Sequence, residues 1–373
     1  MLFDPRPKTC REDLFDREEE IKELKEAVSK YPLTLLLGIR RIGKTSILRV
    51  ALDELEVPYA YLDLRILEEE GFSRASLYRL LSEALTNTLS KWGKLVEYLK
   101  IIKGVEVRSL DIGFNVEFNW REKSLSITRI LSELNRFAEK YSDKGFFVVA
   151  LDEAQLLRYL SGGKGRIDFR TVLAYAYDNL PNLRLILTGS EAGLLLGMLK
   201  LDDSSSPIYG RFVKVIRLNR FDREKSLAFL RKGFEEAGVE VSEDALHRIY
   251  ERVDGVVGWL TYFGALILES RSHSIDSEVV EEVAEKALKL VEKELSEVFK
   301  RSKHYMYVLK AISIGVNTWS GIKKAVEAWL GKSLENPAIT RLLKNLVELD
   351  IVEKRNNHYV ITDPLILEYC KRL

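Results

Sequence analysis

Residues 38–45 read Gly-Ile-Arg-Arg-Ile-Gly-Lys-Thr, the G-x-x-x-x-G-K-[ST] spacing that builds a phosphate cradle. Glycines let backbone N–H groups turn inward onto phosphate oxygens, and the N-terminus of a following helix adds partial positive charge. Lys44 can reach β- and γ-phosphates, and the Thr45 hydroxyl can ligate Mg²⁺. The apolar run Leu33–Leu37 enters the loop and a helix-like stretch, 46–55, leaves it. A chance strand–turn–helix loop has the same outline, but the complete motif favours phosphate. The candidate nucleotide contacts are therefore Gly38, Ile39, Arg40, Arg41, Ile42, Gly43, Lys44, Thr45 and Ser46.

Two further clusters suit the same chemistry. Asp152 and Glu153 follow the apolar run 146–151. An acid at the carboxyl end of a buried strand can hold a Mg²⁺ shell, so Asp152 joins Thr45 as a candidate metal ligand. Glu153 beside it could polarise an attacking water as general base. The plainer alternative is a solvated acidic pair. Residues 185–190 form another apolar run, ending in Thr188-Gly189-Ser190. Thr188 or Ser190 could sense a γ-phosphate if this strand lies between the first and third, although ordinary strand-to-loop junctions use these residue types too.

Positioning these groups requires a sheet. Strand patterns at 33–37, 59–64, 146–151, 183–187 and 212–218 alternate with helical patterns, which predicts a parallel α/β sheet covered on both faces. A first helix over 14–30, with Asp16 as its cap, precedes it. Between the second and third strands, helical patterns at 74–99 and 124–141 bracket a hairpin at 105–108 and 115–118, with Asp111-Ile112-Gly113 between. From 222 to about 300 the pattern is helical: 222–237, 242–253 with Ser242 as cap, the uncharged 255–270, and a long amphipathic 276–299. Helical patterns at 304–314, 319–330 and 337–349, then short strands at 351–354 and 358–362, follow the order of a winged helix.

Composition narrows the rest. The 373 residues are 46% hydrophobic and 31% charged with a net charge of +1, so any basic footprint must be local. Cys10 and Cys370 lack metal-ligand spacing, and four scattered histidines do not suggest zinc. The N-terminus has no apolar signal core, and no uncharged run is long enough for a bilayer, which suggests a cytoplasmic protein without membrane contact. One glutamine and abundant Lys, Arg and Glu resemble a thermophile's composition.

In order, residues 14–21, the phosphate loop, 151–155, 187–190, 209–211 and 254–260 resemble the archaeal ATPases of the AAA+/STAND-related P-loop group. The resemblance implies a five-stranded core of order 5-1-4-3-2, a helical lid and a C-terminal winged helix. Domains are then expected at 1–221 (with an insertion at about 100–122), 222–300 and 301–373. It puts residues 14–20, Arg17 included, on the adenine side, and Thr188 to Ser190 at the sensor-1 position. Arg211 stands where relatives place an arginine finger that completes a neighbouring subunit's site, which would require a homo-oligomer. Two departures stand out: Val257 replaces the usual lid proline, and Gly258 stands where a sensor-2 arginine would be, leaving Arg248 or Arg252 as substitutes.

The C-terminal segment 301–373 carries 12 Lys/Arg against 7 Asp/Glu, near +5. Lys323, Lys324, Arg341, Lys344, Lys354 and Arg355 suit phosphate contacts from a recognition helix and wing, with Asn336 and Asn345 as base-edge readers. A winged helix used for protein packing is the alternative. The expectation is a slow Mg²⁺-dependent ATPase, binding ATP or ADP, whose winged helix engages DNA or a protein partner. Its rival is a STAND-like signalling or scaffold switch with little turnover and no DNA binding. A small-molecule kinase fits a lid and winged helix poorly.

Overall fold

The computed structural model describes residues 1–110, 113–161, 167–270, 275 and 277–373. Along the chain the strands are β1 (Leu33–Leu37), β2 (Tyr59–Asp63), β3 (Val105–Ser109), β4 (Phe114–Phe118) and β5 (Phe147–Asp152). Then come β6 (Leu183–Gly189), β7 (Lys214–Arg217), β8 (Val352–Arg355) and β9 (His358–Ile361). Five of them form one parallel sheet in the order β2-β5-β6-β1-β7, which is 5-1-4-3-2 when the core strands are counted alone.

Burial follows position in the sheet. β1 and β5 are buried at every residue, whereas edge strand β2 alternates. Strands covered on both faces read as continuous apolar runs, and edges do not. The register sets the site. Leu37 pairs with Gly189, Leu151 with Leu187 and Asp63 with Asp152, so the carboxyl ends of β1, β6 and β5 converge at one rim.

The hairpin β3–β4 forms as expected, although Asp111 and Ile112 of its turn lie outside the described residues. It packs on helix Arg74–Lys91, where the Val116 amide donates to Thr86 Oγ1 at 3.0 Å. The single helix expected over 74–99 is instead two, Arg74–Lys91 and Leu95–Lys100. Trp92 leaves helical dihedrals between them, and its ring meets Phe137 edge-on at 6.3 Å. Asp16 is not a cap either. Arg17 holds the cap position of helix Glu18–Lys30, and Asp16, at φ 46°, pairs with Lys225 at 2.8 Å.

Helices Arg223–Glu236, Glu243–Val253, Val257–Glu269 and Ser277–Arg301 follow, the first two capped by Asp222 and Ser242. Asp276, expected in the last, lies outside the described residues. The C-terminal winged helix comprises His304–Ser313, Trp319–Leu330, Asn336–Glu348 and the β8–β9 hairpin. A final helix, Pro364–Arg372, was not anticipated; Asp363 caps it by accepting from the Leu365 amide at 2.9 Å. Its Asp-Pro start and buried Leu365, Ile366 and Cys370 are a signal that sequence reading could have used.

One buried cluster runs from Leu2 and Phe3 through the four helices into the winged helix, joining Phe263, Leu309 and Leu343. Phe3 stacks edge-on against Phe234 at 4.9 Å and Phe229 at 5.7 Å, which ties the N-terminal segment down. No helix among the described residues is long and apolar enough to cross a membrane.

Candidate functional site

The loop between β1 and helix Lys44–Glu54 opens into a cleft of about 610 Å³, a size suited to a nucleotide-sized ligand. Gly43 takes φ 94° as the helix N-cap, a conformation that any side chain would strain. It brings no side chain of its own, and Lys44, Thr45 and Ser46 of the first helical turn, whose amides have no carbonyl partner within the helix, line the cleft. Lys44 is buried, and its Nζ donates to the Gly38 and Ile39 carbonyls at 2.7 and 2.8 Å. Burial pushes the Lys44 pKa down to about 8, against the opposing pull of Glu153, Asp350 and Asp152.

Asp152 is fully buried and entirely hydrogen-bonded. Its Oδ2 accepts from Thr45 Oγ1 at 2.9 Å and Tyr61 OH at 2.7 Å, while Oδ1 accepts from Thr188 Oγ1. Only hard oxygens meet here, a hydroxyl and a carboxylate, and that donor set fits a small divalent cation such as Mg²⁺. Glu153, at φ 56°, turns toward the end of β6. Its Oε2 accepts from the Ser190 amide at 3.0 Å, Ser190 Oγ at 2.6 Å and Gln155 Nε2 at 2.6 Å. Burial alone would raise the pKa of Glu153, but these donors and the Lys44 charge outweigh it and hold the group below its ordinary value.

The two arginines of the loop face the later helices. Arg40 donates to Glu191 at 2.9 Å and Glu294 at 2.6 Å. Arg41 donates to Glu294 at 2.9 Å and lies over the Trp259 ring, 4.2 Å from its centroid. Trp259 Nε1 in turn donates to Asp363 Oδ2 at 2.8 Å, which links the loop to the C-terminal helix. On the turn after Asn336–Glu348, Asp350 sits between the positive Lys44 and Arg217 and the negative Glu353 and Glu191. Burial, the largest influence, pushes the Asp350 pKa up to about 6.

The fold thus gathers Gly38 to Ser46, Asp152, Glu153, Thr188 and Ser190 at one rim of the sheet. Arg17 lines the same cleft, buried beneath the Phe221 ring and bonded to the Asn219 carbonyl at 3.0 Å. Arg211 does not line it; its guanidinium engages Asp178, with Nε to Oδ1 at 2.9 Å. Arg248 and Arg252 also lie elsewhere. The first pairs with Asp244 at 2.9 Å and the second reaches Glu368 at 2.8 Å, so neither substitutes in the cleft. In the winged helix Asn345 is turned inward to Tyr305 OH at 2.7 Å, and Asn336 accepts from Lys323 at 2.8 Å. Lys324, Arg341, Lys344, Lys354 and Arg355 are exposed.

Sequence reading missed several residues. Tyr61, Asp350 and Asp363 carry no motif that marks them, and Gln155 ends the 151–155 motif without having been given a role. The segment from Leu2 to Lys8, most of which lines the cleft, has only Leu2 and Phe3 as an apolar clue.

Residues 14–263 match the family described as ATPase domain predominantly from Archaea, and residues 299–362 match the MCM protein C-terminal winged helix-turn-helix domain. A comparison with curated proteins gave no match. Among solved structures, the chain is 38% identical to the Walker-type ATPase PABY2304 of Pyrococcus abyssi, with each chain fully covered and a TM-score of 0.83. The ORC2 protein of Aeropyrum pernix, solved as ADPNP–ADP complexes, shares the fold at 15% identity and a TM-score of 0.60. That match covers 100% of this chain and 96% of ORC2. With two-thirds of its length inside one family pattern and a relative 38% identical over its full length, the chain belongs to the family of ATPase domains found predominantly in Archaea.

Proposed function

We propose that this protein is a Mg²⁺-dependent ATPase that works as a switch, with helices 223–301 as its lid and the winged helix as its output. The observation that carries this reading is the meeting of Thr45, Asp152, Glu153 and Lys44 beside one loop of inward amides. Lys44 and the amides would hold the phosphates of ATP or ADP, with Arg17 and residues 2–8 around the base. Thr45 and Asp152 would hold Mg²⁺, which when bound would neutralise phosphate charge. Glu153, kept ionised, would take the proton of the attacking water. Thr188 and Ser190 would orient the two acids.

Slow turnover belongs to this reading, because three donors hold Glu153 and because Arg211 could act only on a neighbouring copy's site. The exposed cations of the winged helix support DNA as its partner through phosphate contacts without base reading. A second reading, a STAND-like switch with little turnover, is favoured by the docking of the winged helix: Asp363 bonds Trp259, and the charge of Lys44 is felt at Asp350. Turnover by wild type, Lys44→Ala and Glu153→Gln is the test. Both variants are expected to lose hydrolysis, and Glu153→Gln should still bind ATP. Equal rates in all three would remove the assigned roles. ADP retained through purification, with no DNA shift at moderate salt, would favour the second reading.

A further inference from the structure

A phosphoryl-transfer site gains from a guanidinium on the transferring group, and neither position that the family resemblance suggests supplies one within this chain. Gly258 is closed off, since a Cβ there would stand 2.6 Å from Arg41 Cβ and 2.8 Å from the Arg41 carbonyl oxygen. Its amide donates to that same carbonyl at 2.8 Å. Arg211 points to Asp178 and does not line the cleft.

The phosphate loop carries the charge itself. Its two arginines share Glu294, one on each carboxylate oxygen, and both line the cleft. Arg41 is committed to the helical segment, stacked on Trp259 and bonded to Glu294. Arg40, which has no such ring contact among the described residues, lines the cleft with Lys44, Glu153 and Ser190 and also reaches Glu191. Its guanidinium rests on Glu191, the residue after Ser190, and on Glu294. Its charge also lies close enough to Lys44 to disfavour that residue's protonation. The arginine side chain is 46% exposed while Glu191 and Glu294 are 10% and 20% exposed, so solvent reaches the guanidinium side of both ion pairs.

We propose that Arg40 is a catalytic residue acting in cis, exchanging Glu191 and Glu294 for the oxygens of the γ-phosphate. This rests on the hydrolysis reading above and names the charge that completes it. In the step, the water oxygen bonds to the γ-phosphorus as the bond to the β–γ bridging oxygen breaks. Glu153 takes the water proton, and ADP leaves with the bridging oxygen's electron pair. Arg40 forms no covalent bond; it compensates the charge spread over the equatorial oxygens.

The experiment follows turnover, Mg·ADP affinity and formation of the ADP–aluminium fluoride adduct, which mimics the transferring group. Arg40→Ala is expected to keep ADP affinity near wild type, to lower kcat on the order of a thousandfold and to lose the adduct. Glu294→Gln weakens one of the two ion pairs of Arg40 and leaves the guanidinium and its Glu191 contact, so it is expected to form the adduct and turn over no more slowly than wild type. Specific turnover of the wild type should not change on dilution, because the charge comes from the same chain. Arg40→Ala retaining wild-type kcat and adduct overturns the role of Arg40 alone. Glu294→Gln copying the losses of Arg40→Ala makes Arg40 a strut and also overturns it. A wild type that neither hydrolyses ATP nor forms the adduct removes the hydrolysis reading, and the role of Arg40 with it.

Discussion

Replacing Asp350 with Asn tests how the winged helix is seated against the phosphate loop. Asp350 has φ 57°, a left-handed conformation that Asn tolerates nearly as well, so the backbone of the turn should survive. Two effects oppose each other at its carboxylate. Burial disfavours the charge, whereas Lys44 and Arg217 favour it, and burial wins because the pKa rises from 3.8 to about 6. At about 1.4 kcal/mol for each tenfold change in proton affinity, that rise corresponds to about 3 kcal/mol. Asp350 is only partly buried, and screening by water reduces the figure to about 1–3 kcal/mol. The folded protein binds this proton more tightly than the unfolded chain does. The proton-linked stabilisation is therefore fully present below about pH 4 and is lost as the pH rises through about 6. Asn carries no charge and escapes that loss. Thermal unfolding of wild type and Asp350→Asn should give similar midpoints near pH 4, with the variant higher by a few degrees at pH 8. A variant that is less stable at pH 8 would mean that attraction to Lys44 outweighs burial. A difference that ignores pH would refute the argument altogether.

Two other predictions concern the cleft. With the Lys44 pKa near 8, free protein must take up a proton to bind phosphate at higher pH. Nucleotide affinity should be level below about pH 8 and fall by up to about tenfold per pH unit above it, as read by calorimetry in two buffers. A flat profile across this range would remove the link between that ammonium and phosphate. Phe3→Ala empties a site that is 2% exposed, a change that costs about 3–5 kcal/mol when such a ring is fully packed. The segment 1–8 should come loose, detected as faster proteolysis near the N-terminus together with weaker nucleotide binding. Unchanged affinity in a chain cut more quickly would show that this segment is no wall of the base pocket.

The secondary elements were legible where the pattern was local. Alternating apolar runs and helical periodicities placed all five core strands, and Ser242 marked a helix start through its own side chain. Errors arose where a distant contact decided. Trp92 ends its helix against Phe137, forty-five positions away in the chain, and Asp16 gives up a capping role for Lys225. Asn345 looked like a base reader until the fold turned it onto Tyr305.

What the sequence alone determined is the phosphate loop, the acids at 152 and 153 and the hydroxyls at 188 and 190, because each motif is written in consecutive residues whose backbone geometry is set locally. Only the tertiary structure decided that Tyr61 would hold Asp152, that Gln155 and Ser190 would hold Glu153, and that Arg40, Arg41, Asp350 and Asp363 would join the loop to the C-terminal module. These partners lie on different strands and helices. Their meeting depends on strand order, register and the packing of a shared core, which no local pattern encodes.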